Sequence, residues 1–289
     1  MKTKILRLTA GVILLSAHLA FSTTTIDATS KYVYGANIGW MDWRGDIGNG
    51  AVIGEYVCSG YIYSANVGWI NLGNGSPANG IHYQNAAAGD FGVNQDGLGN
   101  LTGYAYSANI GWINFEQTYG KPRVDLFTGK LSGSVYSANC GWISLSNAAA
   151  YVQTVAIQPG ADTDSDGIAD AWELLHFGNL TTANASSDFD GDGVSDAGEY
   201  LAGTDPQNAG DYLHITSITH GVSTPTYTTL QWTAVPTRYY IIQERPSLSA
   251  GTWTDYLNLP FAGWSNVGFD DYNPTNEFFR VIAYRPLMP

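Results

Sequence analysis

Tyr136-Ser-Ala-Asn-Cys-Gly-Trp142-Ile-Ser144 decides the fold of the amino-terminal half, because the string recurs upstream without gaps. It stands as Tyr34-Gly-Ala-Asn-Ile-Gly-Trp40-Met-Asp42, Tyr63-Ser-Ala-Asn-Val-Gly-Trp69-Ile-Asn71 and Tyr106-Ser-Ala-Asn-Ile-Gly-Trp112-Ile-Asn114. The tryptophans lie 29, 43 and 30 residues apart, so the unit is about thirty residues with one insertion near 74–90. In the fourth unit Leu131, Gly133, Val135 and Ser137 alternate with Ser132, Ser134 and Tyr136, the period of an extended strand. Ala-Asn-x-Gly supplies a turn, since Asn and Gly tolerate positive φ, and Trp142-Ile-Ser-Leu145 returns. Each unit is therefore a β-hairpin with a small aliphatic face and a face of Tyr, Trp and one polar residue. The glycines and the missing 3.6-residue stripe exclude helix. A lone hairpin cannot bury a face, so the four must stack as an open solenoid or close as a barrel or prism, within residues 23–157.

The Tyr/Trp ladder has two readings. The first is a second packing layer, with the asparagines capping turns. The second is a row of exposed platforms, in which Tyr63, Trp69, Asn71, Tyr106, Trp112 and Asn114 take polysaccharide by ring stacking and amide hydrogen bonding.

The middle of the chain carries the strongest chemical signal. From 131 to 237 there is no Lys or Arg but there are 12 acids, ten of them in two twelve-residue strings. The strings are Asp162-Thr-Asp164-Ser-Asp166-Gly-Ile168-Ala-Asp170-Ala-Trp-Glu173 and Asp188-Phe-Asp190-Gly-Asp192-Gly-Val194-Ser-Asp196-Ala-Gly-Glu199. Both place carboxylates at positions 1, 3, 5, 9 and 12, with glycine at position 6 for a sharp turn and a backbone carbonyl available at position 7. That spacing suits a hard cation ringed by oxygens, which here is Ca2+ at two sites. Two carboxylates at about 4 Å repel by roughly 1–4 kcal/mol, so five crowded together need a divalent ion.

The two loops resemble thrombospondin type 3 repeats and, more broadly, EF-hand and dockerin loops. The aliphatic residue sits at position 7, as in the thrombospondin-type loops, and Gln158-Pro-Gly160 leaves no room for an EF-hand entering helix. The resemblance covers about 162–206 and implies structural calcium. Short exit helices are expected over 168–177 and 194–201, sharing a small core of Trp172, Leu175, Phe177, Tyr200 and Leu201.

Residues 211–289 return to β patterning. Strands are expected at 212–218, 226–232, 239–244 and 277–284, packed as a sandwich that looks like a fibronectin type III-like module. The fold class is thus mostly β: a four-unit hairpin array (23–157), a double calcium-loop segment (158–210) and a carboxyl-terminal β-sandwich (211–289).

Lys2, Lys4 and Arg7 followed by the apolar run from Leu8 to Phe21 make residues 1–22 a secretory signal peptide, too short to span a bilayer. The expected location is secreted or cell-surface, with no membrane span in the mature chain. The formal charge of −13 falls to −16 without that peptide's three cations, which argues against nucleic acid as a partner and leaves polysaccharide or cell-surface components. No nucleophile elbow, phosphate loop or His-Glu-x-x-His string occurs, so no catalytic residue is assigned and the chain is read as a non-catalytic structural or adhesive protein, with an exported glycan-acting enzyme as the lesser alternative. Cys58 and Cys140 stand at aliphatic positions, as buried thiols or, in an exported chain, as a disulfide.

Overall fold

A computed structural model describes residues 24–45, 48–220, 227–245, 247, 249, 251–259, 266–270 and 278–288. The signal-peptide segment, 1–22, lies outside the described residues. Among the described residues no helix is long and apolar enough to cross a membrane.

The four repeated strings form four hairpins: β1–β2 (Ile26–Gly35, Gly39–Asp42), β3–β4 (Ser59–Ser64, Gly68–Asn74), β6–β7 (Leu101–Ser107, Gly111–Asn114) and β10–β11 (Ser134–Ser137, Gly141–Ser144). β5 (Val93–Gln95) pairs with β6, and β12 (Val152–Thr154) pairs with β1. Together they make one curled antiparallel sheet of ten strands, ordered β11-β10-β7-β6-β4-β3-β2-β1-β12. A two-stranded ribbon, β8 (Arg123–Val124) with β9 (Leu131–Ser132), lies between the third and fourth hairpins in sequence. Each turn glycine adopts the left-handed φ that a side chain resists: +76° at Gly39, +74° at Gly68, +70° at Gly111 and +74° at Gly141.

The motif asparagines close the array. Asn66 Nδ2 donates to the Ile38 carbonyl (3.0 Å), Asn109 Nδ2 to Val67 (3.1 Å) and Asn139 Nδ2 to Ile110 (3.0 Å). Asn37 Nδ2 then donates to the Cys140 carbonyl (2.9 Å), joining the first unit to the last. Four donors and four carbonyls thus complete a ring, so of the geometries open at the sequence level the closed one forms. The motif serines brace the same turns: Ser64 Oγ and Ser107 Oγ donate to the Ile38 and Val67 carbonyls (both 3.4 Å). The first unit has Gly35 at this place, where an added Cβ would stand 2.8 Å from Ile38 Cγ1.

The inward face is aliphatic. Val33, Met41, Ile62, Ile70, Ala105, Ile113, Val135 and Ile143 are buried in one core with Trp43 and Phe115. The space left inside it is about 10 Å³, too little for a ligand. Cys58 and Cys140 are free thiols buried in this core, not a disulfide.

The carboxyl-terminal region forms two three-stranded sheets, β13-β14-β17 (Ile215–His220, Tyr227–Trp232, Asn266–Asp270) and β16-β15-β18 (Thr254–Leu259, Tyr239–Arg245, Phe278–Tyr284). Leu230 and Trp232 of one sheet share a core with Tyr240, Ile242 and Val281 of the other, as a sandwich requires. β16 and β17 go beyond the strands expected from the sequence, because polar residues interrupt their apolar alternation.

Candidate metal centre and aromatic surface

Two short helices follow the acidic loops, α1 (Asp170–His176) and α2 (Asp196–Ala202). Gly178 (φ +71°) and Gly203 (φ +77°) end them, where the sequence placed the stops. Arg238 reinforces the second stop by donating from Nε to the Leu201 carbonyl at 2.7 Å, a cation at a helix carboxyl end. The helices share a small core of Ile168, Ala169, Trp172, Ala183 and Tyr200, with Phe177 and Tyr56 against it. Leu175 and Leu201, expected in that core, are instead about half exposed. Tyr56 reaches that core from the hairpin region.

Each loop gathers its first three aspartates. Ligand oxygens of Asp162, Asp164 and Asp166 lie within 4.8 Å of one another, and so do those of Asp188, Asp190 and Asp192. The backbone sets this up in the same way twice. Position 4 is left-handed in both (Ser165 φ +64°, Gly191 φ +77°), as is position 6 (Gly167 +94°, Gly193 +95°). Gly167 N donates to Asp162 Oδ2 and Gly193 N to Asp188 Oδ2, both at 3.0 Å. Ile168 N and Val194 N donate to Asp166 Oδ1 (2.9 Å) and Asp192 Oδ1 (2.8 Å). Each aspartate at position 5 thus spends one oxygen on the loop and keeps the other free.

The position-12 glutamates close the loops from below. Glu173 and Glu199 are completely buried. Burial, and then the crowd of neighbouring aspartates, raises the Glu173 carboxyl from 4.5 to about 7, and the Glu199 carboxyl likewise. Asp170 and Asp196, at position 9, turn toward the start of their own loops. Asp170 Oδ1 accepts from Thr163 N (2.7 Å), while Asp196 accepts from Phe189 N (3.1 Å) and Ser187 Oγ (2.5 Å).

Among the described residues eight buried side-chain polar atoms lack a partner, and six of them are oxygens of these loops. They are Asp166 Oδ2, both Glu173 oxygens, Asp190 Oδ2, Asp192 Oδ2 and Glu199 Oε2. An unpaired buried carboxylate oxygen is costly, and a divalent cation removes that cost. The donor set is all oxygen, which suits Ca2+. Asp162, Asp164, Asp166 and Glu173 would hold one ion; Asp188, Asp190, Asp192 and Glu199 would hold the other.

A pH dependence follows. A carboxyl whose pKa rises on folding contributes stability that is fully present below its unfolded value and is lost as pH climbs through the folded one. In chelator, the melting temperature is therefore expected to fall as pH rises from 4.5 to about 7. Saturating calcium should flatten that fall, because the ion replaces the protons. Thermal melts at several pH values, with and without calcium, check it.

The aromatic ladder is exposed, contrary to the packing-layer expectation. Trp40 is 54% exposed, Trp69 43%, Trp112 47% and Trp142 46%. The aliphatic face already fills the ring, so the aromatic face turns outward. Strand register arranges it in rows that run across four strands. One row reads Tyr32, Asp42, Tyr63, Trp69; the next Tyr61, Asn71, Tyr106, Trp112; the third Tyr104, Asn114, Tyr136, Trp142. The structure therefore brings Asn71 beside Tyr106 and Trp112, in a different row from Tyr63 and Trp69. Asn114 lies beside Tyr104 and Tyr136. Within each hairpin the rings meet edge to face or tilted, as with Tyr106–Trp112 at 4.8 Å and Tyr63–Trp69 at 4.9 Å.

Burial pushes the Cys58 thiol up to about 12, which leaves it unreactive.

Paired loops of gathered aspartates, each with a buried glutamate and a short exit helix, make a loop–helix segment whose two aspartate clusters could hold a metal ion. Residues 188–209 match the family described as bacterial TSP3 repeat, which supports a thrombospondin type 3-like calcium-binding loop at that position. The match covers neither the aromatic hairpins nor the carboxyl-terminal sandwich. No curated protein and no solved structure matches the chain.

Proposed function

We propose that this chain is an exported, non-catalytic structural or adhesive protein in which two bound calcium ions stiffen the segment between an aromatic hairpin ring and a β-sandwich. The observation that carries this reading is the set of six buried, unpartnered carboxylate oxygens in two loops of one design. The surroundings support a joint rather than a sensor. Glu55 of the hairpin region accepts from Arg285 Nη1 (2.9 Å), beyond β18, and from the Tyr200 hydroxyl (2.9 Å) in α2. Gly160 N, at the approach to the first loop, donates to the same carboxylate (3.2 Å). One side chain thus ties three parts of the chain.

Limited proteolysis tests the proposal. With millimolar calcium, cleavage within 158–210 is expected to be slow; in chelator it should become the first cut made. Equal cleavage under both conditions would contradict the proposal.

A second reading, polysaccharide binding, is favoured by the exposure of the Tyr–Asn–Tyr–Trp rows. Rings that are half open to solvent and flanked by amides suit the apolar faces and hydroxyl rims of sugars.

A further inference from the structure

The third repeat differs from the others in one respect. The inserted segment between β4 and β5 folds back over its aromatic row. Phe91 meets Trp112 at 5.1 Å between ring centroids, edge to face, and Tyr106 at 6.2 Å. Phe91 and Trp112, with Asn85, the three alanines at 86–88 and Tyr104, line an open cleft of about 400 Å³. That is the size of a small-molecule site, on a molecule whose ring interior has no such room.

The wall is held in place by its own hydrogen bonds. Asp90 accepts from Ala78 N and Gln84 N (both 3.1 Å), and its carbonyl accepts from Asn85 N (3.0 Å). Asn85 Oδ1 accepts from Gly92 N (3.0 Å), and Asn85 Nδ2 donates to the Tyr83 carbonyl (3.2 Å). Tyr83 is itself buried, with its hydroxyl donating to the Cys58 carbonyl (3.3 Å). The loop therefore presents Phe91 from a fixed base. The alanines keep the mouth open, and a Cβ added at Gly89 would touch nothing.

Among the described residues no charged side chain lines the cleft, so they offer nothing there to a phosphate or a carboxylate. What it offers is three aromatic faces, with the Asn114 amide one strand away from Tyr104. A neutral sugar ring has this combination of an apolar C–H face and a rim of hydroxyls.

We propose that this cleft is a binding site for one ring of a neutral polysaccharide, with Trp112 as the platform and Phe91 as the side wall. It rests on the polysaccharide reading above and narrows it to one repeat. Among the described residues the other two rows lack a counterpart of Phe91 and would act at most as weak secondary contacts.

The test is titration of the full chain, in calcium, with neutral hexasaccharides of glucose, xylose, mannose and N-acetylglucosamine, followed by tryptophan fluorescence and calorimetry. At least one should bind. Phe91→Ala and the cleft-filling Ala87→Trp should each weaken it about tenfold or more, and Trp142→Ala in the fourth unit by about twofold or less. Binding that survives Phe91→Ala and Ala87→Trp but falls with Trp142→Ala would overturn the cleft and leave the polysaccharide reading intact. Binding of none of the sugars by the unaltered chain would overturn both.

Discussion

Chelating calcium is expected to lower the melting temperature of the intact chain by roughly 5–15 °C at neutral pH. At about 2 mM calcium and an extracellular-type dissociation constant near 10⁻⁴ M, each filled site contributes about 1.8 kcal/mol by mass action. Two sites double that, and about 1 kcal/mol moves the midpoint of a chain of this size by roughly 2–4 °C. The structural cause is repulsion that calcium neutralises: three aspartates within 4.8 Å in each loop, over a glutamate buried completely. Asp192→Asn separates this cause from ordinary packing damage. The amide keeps an oxygen for the 2.8 Å bond from Val194 N and keeps the side-chain volume, while losing the charge. In calcium the variant should melt lower than the parent. In chelator it should melt at the same temperature or higher, since one of the crowded charges is gone. A variant that melts lower by the same amount in both conditions would mean that the aspartate serves the loop and not an ion.

Glu55→Ala is the second change expected to have a large effect, at about 2–4 kcal/mol of lost stability. It removes the acceptor shared by Arg285, Tyr200 and Gly160. The pair is largely shielded, with side chains 12% and 15% exposed for Glu55 and Arg285, so the guanidinium left behind keeps most of its desolvation cost. It keeps its contact with the Tyr200 ring, 4.2 Å from centroid to guanidinium carbon. Tyr200 directly follows Glu199, the last residue of the second acidic loop. The loss should therefore also weaken calcium binding at the second loop more than at the first. Glu55→Gln, which keeps the acceptor oxygen and loses the charge, should cost about half as much. Thermal melts with calcium titrations of both variants check this, and a change below about 0.5 kcal/mol in Glu55→Ala would remove the clamp from the account.

The hairpins and the loops were legible in the sequence because their signals are local. Tyr-Ser-Ala-Asn-x-Gly-Trp puts a turn, its glycine and both flanking strands inside nine residues, and the acidic loops repeat one register 26 residues apart. Closure of the ring was not legible. It depends on Asn37 reaching Cys140, 103 residues away, and nothing local distinguishes an asparagine that caps its own turn from one that donates to the neighbouring unit. Which of the two readings of the aromatics holds was not legible for a related reason. Trp and Tyr usually count as core, yet a ring of eight hairpin strands has only one interior, and Ile62, Ile70, Ile113 and Ile143 already fill it. Likewise hydrophobicity alone points Leu175 and Leu201 into the helix core, yet both are about half exposed, and Tyr56, distant in sequence, packs there. The roles of Asp170 and Asp196 in bracing their own loops emerge only from the hydrogen bonds that Thr163, Ser187 and Phe189 give them.

Calcium titration of the chelator-stripped chain by calorimetry tests the central claim most directly. Two ions bound per chain, falling to one in Asp166→Ala and one in Asp192→Ala, is the predicted result. Failure of the unaltered chain to retain any ion at millimolar calcium would contradict it.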